Sequence, residues 1–325
     1  MKILNTIFFA IIIFLSSYSH ANYLDRNEVH DFVDYLVKKH NFDKNYLLGI
    51  FSKTEKQQKI IDLMNNPSEK VTSWDRYKKR VSLTRIQNGV RFLTVYKKWF
   101  DKAEDVYGVP REVIASIIGL ETNYGGYKGR TRVIDALTTA AFDYPRRRDF
   151  FRIQLEEYFL LTREEGFDPL EIKGSYAGAM GFVQFMPDNY RKLAVDFDGD
   201  NNKDILSNPA DAIGSVANFL SSNKGNKRGW DRNGFIAIEA LPKKYKKNIK
   251  SSFKLKSLKE LDITTDADLN PEKNYIQISL FPNDELKDEY WLGDKNLYAI
   301  TRYNPSSKYA MSVFLLSREL KNIGN

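Results

Sequence analysis

The chemistry open to this chain gathers in two acidic settings and one glycine-dense run. The first is Gly119-Leu120-Glu121-Thr122-Asn123-Tyr124-Gly125-Gly126, a glutamate placed where an apolar run gives way to a glycine-rich turn. From Pro110, a favourable first helical residue, the chain reads Arg111-Glu112-Val113-Ile114-Ala115-Ser116-Ile117-Ile118. Helical spacing puts Val113 and Ile117 on the same face as Glu121. A carboxyl that continues a buried stripe is desolvated, which raises its pKa towards the range a general acid uses. The competing reading is a helix-terminal glutamate turned to water, and spacing alone leaves both open.

The second setting is Asp196-Phe197-Asp198-Gly199-Asp200-Asn201-Asn202-Lys203-Asp204-Ile205, with aspartates at loop positions one, three, five and nine. Hard oxygen ligands at that spacing wrap a calcium ion, with the carbonyl of Asn202 at position seven. Without a cation these carboxylates repel one another. Position six is Asn201 rather than glycine, although asparagine tolerates a left-handed backbone. Position twelve is Ser207 rather than a bidentate glutamate, which makes Asp211 the candidate for the last ligand. The candidate set is Asp196, Asp198, Asp200, Asn202 and Asp211, holding a structural rather than a signalling ion. A solvated acidic turn is the alternative.

The third signal is Gly174-Ser175-Tyr176-Ala177-Gly178-Ala179-Met180-Gly181-Phe182-Val183-Gln184-Phe185-Met186-Pro187. Small residues this dense allow close approach of backbone to backbone or to a ligand. Ser175, Tyr176 and Gln184 have side chains suited to sugar hydroxyl or acetamido groups. Plain small-residue packing explains the run equally well. Neither a Walker spacing nor a dinucleotide fingerprint is present.

Composition narrows the chemistry further. There is no cysteine, and the three histidines are His20, His30 and His40, none in a metal-binding pattern. Thiol catalysis, cysteine-rich zinc sites and disulfides are excluded, and a Ser-His-Asp triad is disfavoured. Carboxylates, hydroxyls, amides and tyrosines remain, which favours glycoside cleavage. Lys2 precedes the apolar run Ile11-Ile12-Ile13-Phe14-Leu15, and Ser19-His20-Ala21 supplies small residues before Asn22. That pattern predicts a signal peptide over 1–21 and a soluble exported protein. Lys2 is the one charged residue removed, so the net charge goes from +8 to +7. A positive exported protein suits an anionic wall polymer better than nucleic acid.

These residues need elements to hold them. Residues 22–105 read as an N-terminal helical region, with Val29, Phe32, Val33, Leu36 and Val37 in one stripe and a further stripe over Arg91–Phe100. Residues 106–229 hold the glutamate, the glycine-rich turns and the acidic loop. Over 230–300 lysine-rich stretches such as Lys243-Lys244-Tyr245-Lys246-Lys247 alternate with strand-like runs. Tyr275–Leu280 and Leu297–Ile300 are the candidate strands of a small antiparallel insert. A last helix is predicted from Ser306-Ser307, within a closing segment 301–325. No exposed heptad is present, which favours a monomer.

Taken together, the blocks resemble the lytic murein transglycosylase B family in its soluble periplasmic form. The resemblance rests on Glu121-Thr122-Asn123-Tyr124-Gly125, Asp135-Ala136-Leu137 and Ala141-Phe142-Asp143-Tyr144-Pro145-Arg146-Arg147. It continues through the 174–187 run, the acidic loop, Asp211-Ala212-Ile213-Gly214-Ser215 and Thr301-Arg302-Tyr303-Asn304-Pro305-Ser306-Ser307. It implies a mainly α (α+β) fold, a lysozyme-like helical core with an EF-hand-like calcium loop and a small β-subdomain. The implied reaction is non-hydrolytic cleavage of the β-1,4 bond between N-acetylmuramic acid and N-acetylglucosamine in peptidoglycan, with Glu121 as acid and then base. By the same resemblance Ser175, Gln184, Tyr303, Asn304, Tyr309 and Tyr77 line the cleft. Two other readings compete: a hydrolytic muramidase using Asp135 or Asp143 as a second carboxylate, and a wall-binding protein without turnover.

Overall fold

The computed structural model describes residues 23–66, 72–221, 229–244, 248–282 and 287–324. The expected signal peptide over 1–21, and Tyr245, Lys246 and Lys247 of the lysine run, lie outside the described residues. Chain contacts divide the protein into Met1–Lys56 and Gln57–Asn325.

In the first unit a 3-10 turn at Tyr23–Asp25 leads into α1 (Asn27–His40) and α2 (Lys44–Phe51). Val29, Phe32, Val33 and Leu36 are buried along one face of α1, and Leu47, Ile50 and Phe51 along α2. α1 stops at Asn41, which takes a left-handed conformation (φ 55°). Asp43 then caps α2 by accepting the Tyr46 N–H at 2.6 Å. His30 Nε2 is bonded to the Leu24 carbonyl at 2.7 Å, a structural use of the ring.

The second unit is a helical core carrying an antiparallel sheet. Its helices are α3 (Gln58–Asn65), α4 (Trp74–Lys78), α5 (Leu83–Val95), α6 (Lys97–Tyr107) and α7 (Arg111–Thr122). They continue as α8 (Val133–Asp143), α9 (Arg148–Glu164), α10 (Pro187–Leu193), α11 (Pro209–Ser221), α12 (Lys295–Tyr303) and α13 (Ser307–Gly324). α7 packs against α5, α6, α11 and α13. Its residues from Val113 to Gly119 are all buried, as expected of a helix apolar on every side. Pro110 precedes the first helical residue and acts as N-cap.

Two readings of the sequence are corrected here. The stripe over Arg91–Phe100 is not one helix: the backbone leaves helical geometry at Tyr96 (φ −104°, ψ 23°), which separates α5 from α6. Phe92 and Phe100 still meet across the break, ring centroids 5.7 Å apart. Leu297–Ile300 is not a strand but the middle of α12. Asp294 decides this by accepting the Asn296 N–H at 2.7 Å, an N-cap that commits the run to helix.

The sheet runs through β3 (Ala237–Pro242), β4 (Ser252–Lys256), β5 (Ile263–Thr264), β6 (Tyr275–Leu280) and β7 (Glu289–Gly293), in the order β4-β6-β7-β3-β5. Register is set by pairs such as Ile278 with Trp291 and Ala240 with Tyr290. A local core of Ala240, Ile249, Leu261, Ile263, Tyr275 and Leu292 lies on it. β6 alternates polar and apolar residues, yet all six are buried. Its polar Gln277 is satisfied inside, donating to Lys250 O at 2.7 Å and accepting from the Asp262 N–H at 2.9 Å. A short ladder of β1 (Thr131–Arg132) with β2 (Lys173–Gly174) joins the turn after α7 to the start of the glycine-dense run.

Candidate active site

Glu121 sits one residue before the end of α7, partly exposed, behind fully buried Val113 and Ile117. Asn123, Tyr124 and Gly125 follow with φ of 51°, 60° and 85°, a left-handed run that turns the chain sharply away. Gly125 is required at its place. A Cβ there would stand 2.0 Å from the Phe182 ring. Beside it the Thr122 hydroxyl lies 2.9 Å from the Phe182 carbonyl and accepts the Gly125 N–H at 2.9 Å. Thr122 thus fastens the glutamate's turn to the 174–187 run, a role that sequence reading missed although the residue adjoins Glu121.

The glycine-dense run forms a tight loop. The Ser175 N–H donates to Ala179 O at 2.8 Å, while its Oγ accepts the Ala179 and Ala177 N–H groups at 3.0 and 3.3 Å. The Ser175 hydroxyl proton is left for another partner. Gln184 adopts φ 50°, uncommon for a long side chain, and its Nε2 donates to Lys128 O (3.2 Å) and Gly181 O (3.0 Å). With both amide hydrogens used, Oε1 is the atom Gln184 can offer a ligand. The exposed Tyr176 stands on the same loop.

α12 and α13 supply the opposite side. The Tyr303 hydroxyl donates to Val183 O at 2.6 Å, and its ring meets Phe219 (4.7 Å) and Phe185 (5.8 Å). Tyr309 stacks on Tyr303 at 6.4 Å with an 8° interplanar angle. Burial, then the charge of Glu121, pushes both phenols well above the ordinary tyrosine range. That common influence puts Glu121 beside the pair. The Tyr309 hydroxyl is a near neighbour of the Glu121 carboxylate yet has no well-aligned hydrogen-bond partner. Tyr77 is buried close enough to act on Tyr309, under the Arg80 guanidinium at 4.3 Å from its ring centre. Asn304 caps the end of α12, its N–H donating to Ile300 O at 3.4 Å.

One carboxylate named as a possible second catalytic group is engaged elsewhere. Asp135 accepts from Arg132 Nε at 2.8 Å and Nη2 at 3.0 Å. The structure therefore brings together Glu121, Tyr303, Tyr309 and Tyr77, and attaches Ser175 and Gln184 through the loop that Thr122 and Tyr303 hold.

The acidic loop is tied to the same loop. The Phe182 N–H donates to Ile205 O at 3.0 Å, and Lys128 Nζ to Leu206 O at 2.8 Å. Asp196, Asp198 and Asp211 offer carboxylate oxygens all within 4.8 Å of one another. Asp211, fully buried in the first turn of α11, accepts the Phe197 and Asp204 N–H groups at 2.7 and 2.8 Å. Burial raises its pKa despite those bonds, with the Asp198 and Asp196 charges adding to the rise. Asn201 is left-handed (φ 70°). Asp200 stands outside the three-carboxylate group, its Oδ1 accepting the Asn202 N–H at 2.8 Å. An all-oxygen set of converging carboxylates fits a hard divalent cation such as calcium.

A helical core that brings a partly exposed carboxylate beside stacked tyrosines, next to a loop carrying hydroxyl and amide side chains, can serve an enzyme acting on glycans. The family model described as the transglycosylase SLT domain matches residues 24–318. The membrane-bound lytic murein transglycosylase B of Escherichia coli (strain K12) is 39% identical over 310 residues, 92% of this chain and 84% of that protein. The catenated lytic transglycosylase SltB1 from Pseudomonas aeruginosa superposes with a TM-score of 0.85 at 38% identity, covering 92% of this chain and 99% of that one. The Escherichia coli lytic transglycosylase Slt35 in complex with calcium gives 0.81 at 37% identity, covering 91% of this chain and 93% of that one. The chain belongs to the SLT transglycosylase family and is a lytic transglycosylase of peptidoglycan. Among the described residues no helix is long and apolar enough to cross a membrane.

Proposed function

We propose that Glu121 is the single acid/base of the reaction. Protonated, it gives its proton to the oxygen of the β-1,4 bond as that bond to muramyl C1 breaks. As carboxylate it takes the proton of the C6 hydroxyl of the same muramyl residue, whose oxygen bonds to C1. The products are a free 4-hydroxyl on N-acetylglucosamine and a 1,6-anhydromuramyl end, with no water consumed. The observation that carries this reading is the position of Glu121 at the end of a buried helix beside the buried Tyr303–Tyr309 stack. A hydrolase would need a second carboxylate, and the pairing of Asp135 with Arg132 weighs against that role.

Ser175, Gln184, Tyr303, Asn304, Tyr309 and Tyr77 are the proposed glycan contacts. Asp196, Asp198 and Asp211, with Asp200 and Asn202, are the proposed holders of one structural calcium ion, whose charge would offset the converging carboxylates. We infer export to the periplasm after cleavage near Ala21, and action there as a soluble monomer.

Mass spectrometry of soluble products from purified sacculi tests the chemistry, with Glu121→Gln as control. The expected products carry anhydromuramyl ends, one water lighter than reducing ends. The variant should lose about a thousandfold in rate, as general acid–base groups do. Reducing ends, or undiminished cleavage by the variant, would overturn the assignment.

A further inference from the structure

Lys128 reaches from the turn after Glu121 to both segments packed against that turn. Its Nζ donates to Leu206 O at 2.8 Å and stands 4.5 Å from the centre of the Phe182 ring. Its carbonyl accepts from Gln184 Nε2 at 3.2 Å. The same amide nitrogen donates to Gly181 O at 3.0 Å. Turned over, the Gln184 amide would set Oε1 against both carbonyl oxygens and take away their donor. The two carbonyls therefore fix which way it points.

Those carbonyls stand on consecutive residues at the end of the acidic loop. Gly181 rests on Ile205, where a Cβ would lie 2.2 Å from the carbonyl oxygen, and the next N–H, that of Phe182, donates to the same oxygen at 3.0 Å. Lys128 rests on Leu206. The two footings differ in kind, since Gly181 is seated by backbone and Lys128 by its side chain. The turn is tied at Tyr127, whose N–H donates to Thr122 O at 2.9 Å, and again at Thr131, which pairs with Gly174. Between these ties Gly129, at φ 97°, is required by its approach to the Gly174 carbonyl. Gly126 precedes the pair Tyr127-Lys128. Glycine on either side leaves backbone freedom that some other contact has to remove.

Close packing does not remove it. A cavity of about 450 Å³ opens along this stretch, with Lys128, Phe167, Ile172, Gly181 and Leu206 in its wall. What spans the wall is the charge-assisted bond of the ammonium to Leu206 O, with the Phe182 ring beneath the same charge. We propose that Lys128 is a positioning residue for the glycan. Its ammonium, seated on Leu206 and Phe182, holds its own carbonyl where that carbonyl orients the Gln184 amide. Oε1 is thereby left to accept from a sugar hydroxyl or acetamido N–H. This rests on the reading of Gln184 as a glycan contact.

A double-mutant cycle tests it, with kcat/KM for anhydro product release from soluble glycan as the readout. Lys128→Met keeps an unbranched stem over Phe182 but cannot donate, and kcat/KM should fall about tenfold, as small misplacements of a positioned group do. Lys128→Arg retains the donor and the charge and should restore most of the loss. In a Gln184→Leu background, itself impaired, Lys128→Met should cost about twofold or less, because nothing is left for it to orient. Should Lys128→Met fail to fold, Lys128→Gln, shorter and uncharged, takes its place in the same cycle. An equal loss in both backgrounds, no rescue by arginine, or full activity of Lys128→Met beside an impaired Gln184→Leu would overturn the positioning role. Full activity of Gln184→Leu would instead overturn Gln184 as a glycan contact, the reading on which the proposal rests.

Discussion

At the scale of single residues, the site turns on hydroxyls whose partners are incomplete. The Tyr309 hydroxyl is buried next to the Glu121 carboxylate without an aligned bond. A buried hydroxyl whose contact with a carboxylate is poorly aligned adds little stability, so removing it costs little. Tyr309→Phe is therefore expected to keep the melting temperature while lowering kcat about tenfold, the loss of one hydrogen bond to a charged group formed during reaction. Calorimetry and kinetics on the same preparation check this; a loss of stability parallel to the loss of rate would show a packing role only. The setting of Glu121, at the end of a buried helix and before a left-handed turn, was legible from the apolar run before it and the glycines after it. Thr122 was not, because its bond reaches a carbonyl sixty residues away, and such a contact leaves no periodic trace in the sequence.

At the scale of elements, local periodicity located the apolar stripe of α1, the run of α7 and the start of α13, left α8 to α11 unread, and failed where a cap or a break decided the outcome. Leu297–Ile300 reads as a strand because β-branched, aromatic and apolar residues adjoin. The Asp294 cap makes it helix, and that cap carries its own pH signature. Burial raises the Asp294 carboxyl to about 6 from an ordinary 3.8, partly opposed by the Asn296 N–H. Between those values the folded protein holds a proton that the unfolded chain has lost. Stability from this group therefore falls as pH rises from about 4 to about 6, by about 3 kcal/mol in all. Asparagine caps helices about as well as aspartate and does not titrate. Denaturant unfolding of both forms should show Asp294→Asn gaining on the unmodified protein between pH 4.5 and 7.5. Parallel stability curves would mean that Asp294 does not titrate in that window.

Over the whole molecule, the proposed glycan site is assembled from three separated stretches, and the acidic loop is attached to their junction. The 121–130 turn, the 174–187 run and the 303–309 segment meet through Thr122, Gln184 and Tyr303. Phe182 and Lys128, on the first two, are bonded to Ile205 and Leu206 at the end of the acidic loop. No stretch of sequence encodes that junction, since each bond spans tens of residues. It could be anticipated only as a family pattern. A calcium ion held by Asp196, Asp198 and Asp211 would act on the cleft through these bonds without touching the glycan. Binding to the folded state at a hundred times Kd stabilises by about 3 kcal/mol, which for a protein of this size is a few degrees in melting temperature. Chelation should lower the melting temperature by that amount and leave low-temperature activity mostly unchanged, and the loss should be reversed by added calcium. Substituting Asp211 with alanine should abolish the response to chelator. A melting curve insensitive to both chelator and calcium would remove the ion from the account, and the three carboxylates would then have to be held by N–H donors alone, backbone ones for Asp196 and Asp211 and the Asn208 side-chain amide for Asp198.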